Sequence, residues 1–186
     1  MSQRSFGKGL AAGAAGGLVA SLVMNQFQAL WGRLMEGSER SHGAQSLQHG
    51  SPDHGVGREL KERGSDEEQD DAAMRLANLI SKEVVDRELT TQEKHTAGTL
   101  VHYVFGVTTG ACYGAAAESF PTITAGVGLP FGTFVWLTAD EGVVPAAGLS
   151  KPSTEYPLRI HAYALASHFV YGLTTELVRR AIRRAL

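Results

Sequence analysis

The chain has 186 residues, with 17 Lys and Arg against 19 Asp and Glu and a net charge of −2 when the histidines are neutral. That balance leaves no basic footprint for nucleic acid, and a single cysteine, Cys112, excludes an intrachain disulfide. The mean hydropathy of −0.10 hides two populations, because residues 33–95 hold nine of the 17 basic and 14 of the 19 acidic side chains.

Outside that segment the charges almost vanish. Residues 9–32, 96–117 and 119–139 carry no Asp, Glu, Lys or Arg, and 160–178 carry only Glu176. At 1.5 Å rise per residue, about 20 helical residues cover the ~30 Å hydrocarbon core of a bilayer. The expected fold is therefore all-α: one integral membrane domain over 1–186, a four-transmembrane-helix bundle with spans at 9–32, 96–117, 119–140 and 160–178. The first span follows Arg4 and Lys8, but 24 uncharged residues exceed the length of a signal-peptide core, so an uncleaved helix is expected.

Residues 33–65 are rich in Gly, Ser, His and Gln and read as a flexible polar insert. His42, His49 and His54 lie there without a metal-ligand spacing. Over 66–89, Ala72, Ala73, Leu76, Leu79, Ile80 and Val84 recur at helical spacing behind acidic residues, which predicts an amphipathic helix on the bilayer or on the bundle. Residues 66–88 also offer an acidic surface for a protein partner. Thr90 and Glu93 have capping-box spacing and start the second span. Pro121 opens the third, residues 142–156 form a loop, and Pro157 opens the fourth, which runs into the terminal RRAIRRAL.

HYVFGVTTG from His102 echoes HFVYGLTTE from His168, so the bundle is expected to be two repeated hairpins. Basic tails at both ends place both termini in the cytoplasm, with the tail arginines against anionic headgroups. Trp31, Trp136, Tyr156 and Tyr163 suit the opposite interface. Gly9, Gly13 and Gly17 in the first span and Gly106, Gly110 and Gly114 in the second recur every four residues. Such rows let helices approach closely in lipid and make a homo-oligomer a natural expectation.

The polar residues within spans are few, and alternating helix directions put most of them in one membrane half, on the side of the insert. Asn25, His102, Asp140, Glu141, His161, His168 and Tyr171 form the candidate site. Intramembrane ionisable groups face the bundle interior and pair with one another. Three uses stay open: hydrogen bonds that fix helix register, a proton- or ion-linked site in a transporter component or sensor, and ligation of a metal or haem. No cofactor is assigned, since no HExxH or Cys-His spacing is present, and no G-x-S-x-G nucleophile marks an enzyme. At the other edge, Glu176 is spaced to pair with Arg179 or Arg180.

The run TQEKHTAGTLVHYVFGVTTGACYG from Thr91 to Gly114 resembles the YagU-like bacterial inner-membrane proteins, a family of unknown function. WLTADEGVVPAAGLSKPSTEYPL and HAYALASHFVYGLTTELVRR resemble them too, and the likeness covers residues 70–186 and, more weakly, the first helix. The resemblance implies a multi-pass protein of the bacterial inner membrane and supplies no activity. The expected function is thus a multi-pass membrane protein with a proton- or ion-linked His/carboxylate cluster. A structural or partner-binding subunit is the alternative.

Overall fold

A computed structural model describes residues 3–35 and 70–185, and among these the chain is all-helical with no strand. The expected insert, including His42, His49 and His54, lies outside the described residues except at its start, where residues 33–35 still belong to the first helix.

Helix α1 is Gln3–Met35, and its segment Ser5–Leu34 is the one described helix that is long and apolar enough to cross a membrane by length and composition alone. Helix α2, Ala72–Val85, begins at Asp71, whose side chain accepts from the Met74 amide at 2.9 Å. This is a shorter amphipathic helix than the 66–89 expected. It turns at Asp86, in the left-handed region that Asp tolerates, into α3, Thr91–Ser119.

The Thr90–Glu93 capping box is formed in both directions. Arg87 grips the Glu93 carboxylate through two bonds of 2.8 and 3.1 Å. That grip, followed by the cap bonds from Thr90, pulls the Glu93 carboxyl down to about 2. A depressed carboxyl stabilises the fold above its ordinary range and loses that contribution as pH falls through about 2. Thr90→Ala is expected to cost about 1 kcal/mol and to move the NMR titration midpoint of Glu93 upward; an unmoved midpoint would show that Arg87 alone sets it.

The segment expected as the third span departs most from expectation. Pro121 does open a helical turn, but only a 3-10 turn over Pro121–Thr124. Gly126, Val127 and Gly128 then all adopt positive φ (74°, 54° and 85°), which no right-handed helix accommodates. Helix α4 starts at Leu129, widens into a π-helix over Trp136–Val143 and closes with the turn Val144–Ala146. The expected 119–140 is thereby shifted towards the C-terminus. Pro145 explains the widening. It has no N–H for the carbonyl of Glu141, four residues back, and its ring crowds that carbonyl. The ladder slips to a five-residue step, with the Val144 amide on Ala139. Ser153 Oγ donates to the orphaned Glu141 carbonyl at 3.2 Å. Gly148 (φ 70°) then ends the element, with Gly148 N–H on Pro145 and Leu149 N–H on Val144, both 3.0 Å, the Schellman pattern. The expected 142–156 loop is therefore helical at its start. Helix α5 is Leu158–Ala185, longer than the expected 160–178.

Packing sets the order of the helices: α1 lies against both α3 and α5, α4 against α5, and α2 against α3. Glycines decide how close they come. A Cβ on Gly13 would overlap the Gly110 carbonyl, one on Gly17 the Gly106 carbonyl, and one on Gly114 the Gly9 carbonyl. The pairings run in opposite directions, so α1 and α3 are antiparallel. The pair α4/α5 repeats the arrangement: a Cβ on Gly132 would strike the His168 carbonyl and one on Gly172 the Gly128 carbonyl. Ala20 and Met24 of α1, Val135 of α4 and Tyr171 of α5 meet at the centre, with Phe131 against them.

Candidate functional site

The π-turn places the site. More residues per turn means a smaller angle between neighbours, so Asp140 and Glu141 both reach α5. His161 and His168, seven residues apart, lie two turns from one another on the same face of α5. His161 Nδ1 is 2.6 Å from Glu141 Oε1, and its Nε2 is 3.1 Å from the Ser153 carbonyl. His168 Nδ1 faces the Ala164 carbonyl at 2.9 Å and lies 3.7 Å from Asp140 Oδ2. Two imidazole–carboxylate pairs are thus stacked along one helix–helix seam.

The two pairs differ in their access to solvent. The His161 and Glu141 side chains are 19% and 14% exposed, whereas those of His168 and Asp140 are 8% and 11% exposed. Asp140 Oδ2, Asn25 Oδ1 and Trp136 Nε1 are buried with no hydrogen-bond partner among the described residues. A buried polar atom left unpaired costs about 1–3 kcal/mol, so each of the three calls for a partner such as an ordered water.

The other expected members make different contacts. Asn25 Nδ2 donates to the Tyr103 hydroxyl at 2.9 Å, and Tyr103 in turn meets the His102 ring edge-on at 5.7 Å. Asn25 is thereby linked to α3 through a tyrosine that the sequence did not single out, with the His102 ring beside it. Tyr171 turns to α3: its hydroxyl donates to the Gly106 carbonyl at 2.6 Å and shares a 2.8 Å bond with Thr109. Ser153 was also missed. Its signal was Pro145, four residues after Glu141, which frees a carbonyl that some donor must meet. Among the described residues no three His, Cys, Asp or Glu side chains converge as a metal-binding group.

A second polar region closes the opposite end. Glu176, fully buried, accepts from Arg179 at 2.6 and 2.9 Å and from Arg180 at 2.5 Å. Glu118 accepts a two-pronged contact from Arg183 (2.6 and 2.8 Å) and a bond from Ser5 at 2.5 Å. Spacing along α5 indicated the Glu176 pairs; the Glu118–Arg183 contact between helices could not be read from one helix.

The family model described as protein of unknown function (DUF1440) matches residues 71–177. No curated protein and no solved structure matches the chain. The matched segment begins at the cap of α2 and takes in both imidazole–carboxylate pairs, all of α3 and α4, and α5 as far as Leu177. By that match, which covers more than half of its length, the chain belongs to the DUF1440 family.

Proposed function

We propose that this chain is a four-span protein of the bacterial inner membrane, built as two repeated hairpins, that senses protons at the imidazole–carboxylate seam of α4 and α5. The observation that carries the membrane reading is an inverted distribution of polarity. Among the described residues the largest fully buried side chains are Glu176, Thr175, Ser21 and Ser167, while Leu100, Phe134 and Leu137 are 64%, 64% and 56% exposed. A water-soluble fold does the reverse. Val84 and Val85 of α2 also point outward, as suits a helix at the bilayer boundary. The repeated glycine contacts of α1/α3 and α4/α5 support the duplication, and the likeness to YagU-like proteins supports the location.

The seam suits sensing better than conduction. Imidazole and carboxylate exchange protons near neutral pH, and the outer pair is partly exposed on the insert side. Towards the other side, Tyr171 is committed to the Gly106 carbonyl and Glu176 to two guanidiniums. Fixed positive charge at that end opposes passage of a cation.

The test uses full-length protein in lipid vesicles. Trp136, with its indole nitrogen buried on the π-helix that also carries Asp140 and Glu141, is made the only tryptophan by Trp31→Phe. Its fluorescence is expected to change with a midpoint between about pH 5 and 8. The change should vanish in His161→Gln/His168→Gln/Asp140→Asn/Glu141→Gln, which keeps hydrogen-bonding groups but removes every titrating side chain of the seam. A transition that survives the fourfold replacement sinks the proton reading, and proton flux above that of empty vesicles sinks sensing in favour of conduction. Recovery from cytosol without detergent sinks the membrane reading itself.

A further inference from the structure

We propose that the outer face of α4 and α5 holds one anionic phospholipid, its acyl chain in the groove between the helices and its phosphate at Arg180 and Arg184. The inference rests on the membrane reading above but not on any titration of the histidine seam. The groove is apolar along its length. Leu129, Pro130, Phe134 and Leu137 of α4 form one wall with Thr133, and Phe169 of α5 forms the other. Leu173 and Leu177, both exposed, continue the α5 wall along a row of three- and four-residue steps that ends at Arg180 and Arg184.

The mouth of the groove is where charge begins. Gly126 lines it, and two residues earlier the Thr124 carbonyl accepts from Arg180 Nη2 at 3.1 Å, which fixes that guanidinium at the mouth. Arg184, one turn further, is exposed. Around this end four arginines (179, 180, 183 and 184) face two glutamates (118 and 176), so positive charge remains after the ion pairs are made. An apolar channel with uncompensated guanidinium charge at its opening fits an amphiphile with an anionic head.

A second copy of the chain is the rival occupant. A two-fold dimer through this groove would set Arg180 and Arg184 of one copy against the same residues of the other, at one depth. Like charges so placed oppose association.

The experiment is native mass spectrometry of the full-length protein released from detergent with phosphatidylglycerol or phosphatidylcholine added. One phosphatidylglycerol should be retained in preference to phosphatidylcholine. Arg184→Gln, at an exposed position, should reduce that preference about fivefold. Thr133→Trp, which fills the groove without touching an arginine, should abolish retention of both lipids while circular dichroism stays unchanged. Equal retention of the two lipids, or full phosphatidylglycerol binding in both variants, overturns the proposal. So does displacement by millimolar inorganic phosphate, which would assign the arginines to a free anion, and so does a dimer that persists when no lipid is bound. These outcomes are all read on detergent-solubilised protein, so they are distinct from failure of the membrane reading, in which no detergent is needed at all.

Discussion

Replacing Glu176 by Gln is expected to destabilise the protein by about 3–5 kcal/mol, the range for removing one partner of a buried ion pair. Glu176 is 0% exposed and Arg179 only 8%. Three short donor contacts converge on its two oxygens, two from Arg179 and one from Arg180. Gln keeps the shape but offers one acceptor and two donors, so a guanidinium would face an N–H group and both cations would lose their counter-charge. The second replacement makes the argument sharper. Arg179→Met in the Glu176→Gln background removes one stranded cation, so the double variant should be more stable than Glu176→Gln alone. Reversible unfolding in mixed micelles, followed by circular dichroism, measures both. A Glu176→Gln loss below about 1 kcal/mol, the size of an exposed pair, would mean that water reaches the carboxylate.

The echo between α3 and α5 gives this position its interest. In HYVFGVTTG the last residue is Gly110, and in HFVYGLTTE it is Glu176. Gly110 lies flat on the backbone of Gly13 and Gly17, whereas Glu176 lies beside Gly128 and gathers arginines. One of the two echoing segments closes by backbone contact and the other by charge.

Much of this was readable from the residues because it is local or periodic. The capping box at Thr90 needs only a three-residue spacing. The separation of polar groups into two ends follows from hairpin connectivity, which brings Asp140, Glu141, His161 and His168 to one seam. What escaped depends on backbone strain or on contacts between helices. Pro121 reads as a helix start, but three successive positive φ values at 126–128 postpone α4, and Val127 in that region has no local propensity to announce it. The π-turn comes from Pro145 acting four residues upstream. Depth alone groups Asn25 with the histidines; it does not say that Tyr103, one residue beyond His102, intercepts it. Tyr171 likewise shares their face but reaches across to α3.

Gly110→Ala is expected to cost about 3 kcal/mol or more, at or beyond the upper end for overpacking, and Gly110→Leu to prevent α1 and α3 from pairing. The reason is what a Cβ would meet. At Gly110 it would lie 2.6 Å from the Gly13 carbonyl oxygen and 2.7 Å from the Gly17 Cα. Both are backbone atoms, which cannot swing aside as a side chain can, so the helices must separate along their contact. Gly7 and Gly32 of α1 provide the control, since a Cβ there meets nothing within 4 Å. Ala at either should be neutral or stabilising by up to about 1 kcal/mol, through helix propensity alone. Gly172→Ala should repeat the Gly110 result in the other pair, where the Gly132 backbone nitrogen lies 2.7 Å from the added carbon. Micelle unfolding curves for these variants would decide the matter, and equal stabilities for Gly7→Ala and Gly110→Ala would refute close backbone contact. The family match begins at residue 71 and omits α1. Yet Gly106, Gly110 and Gly114 inside the matched segment are shaped to α1, so a chain of this kind without a small-faced first helix would leave that surface of α3 without its partner.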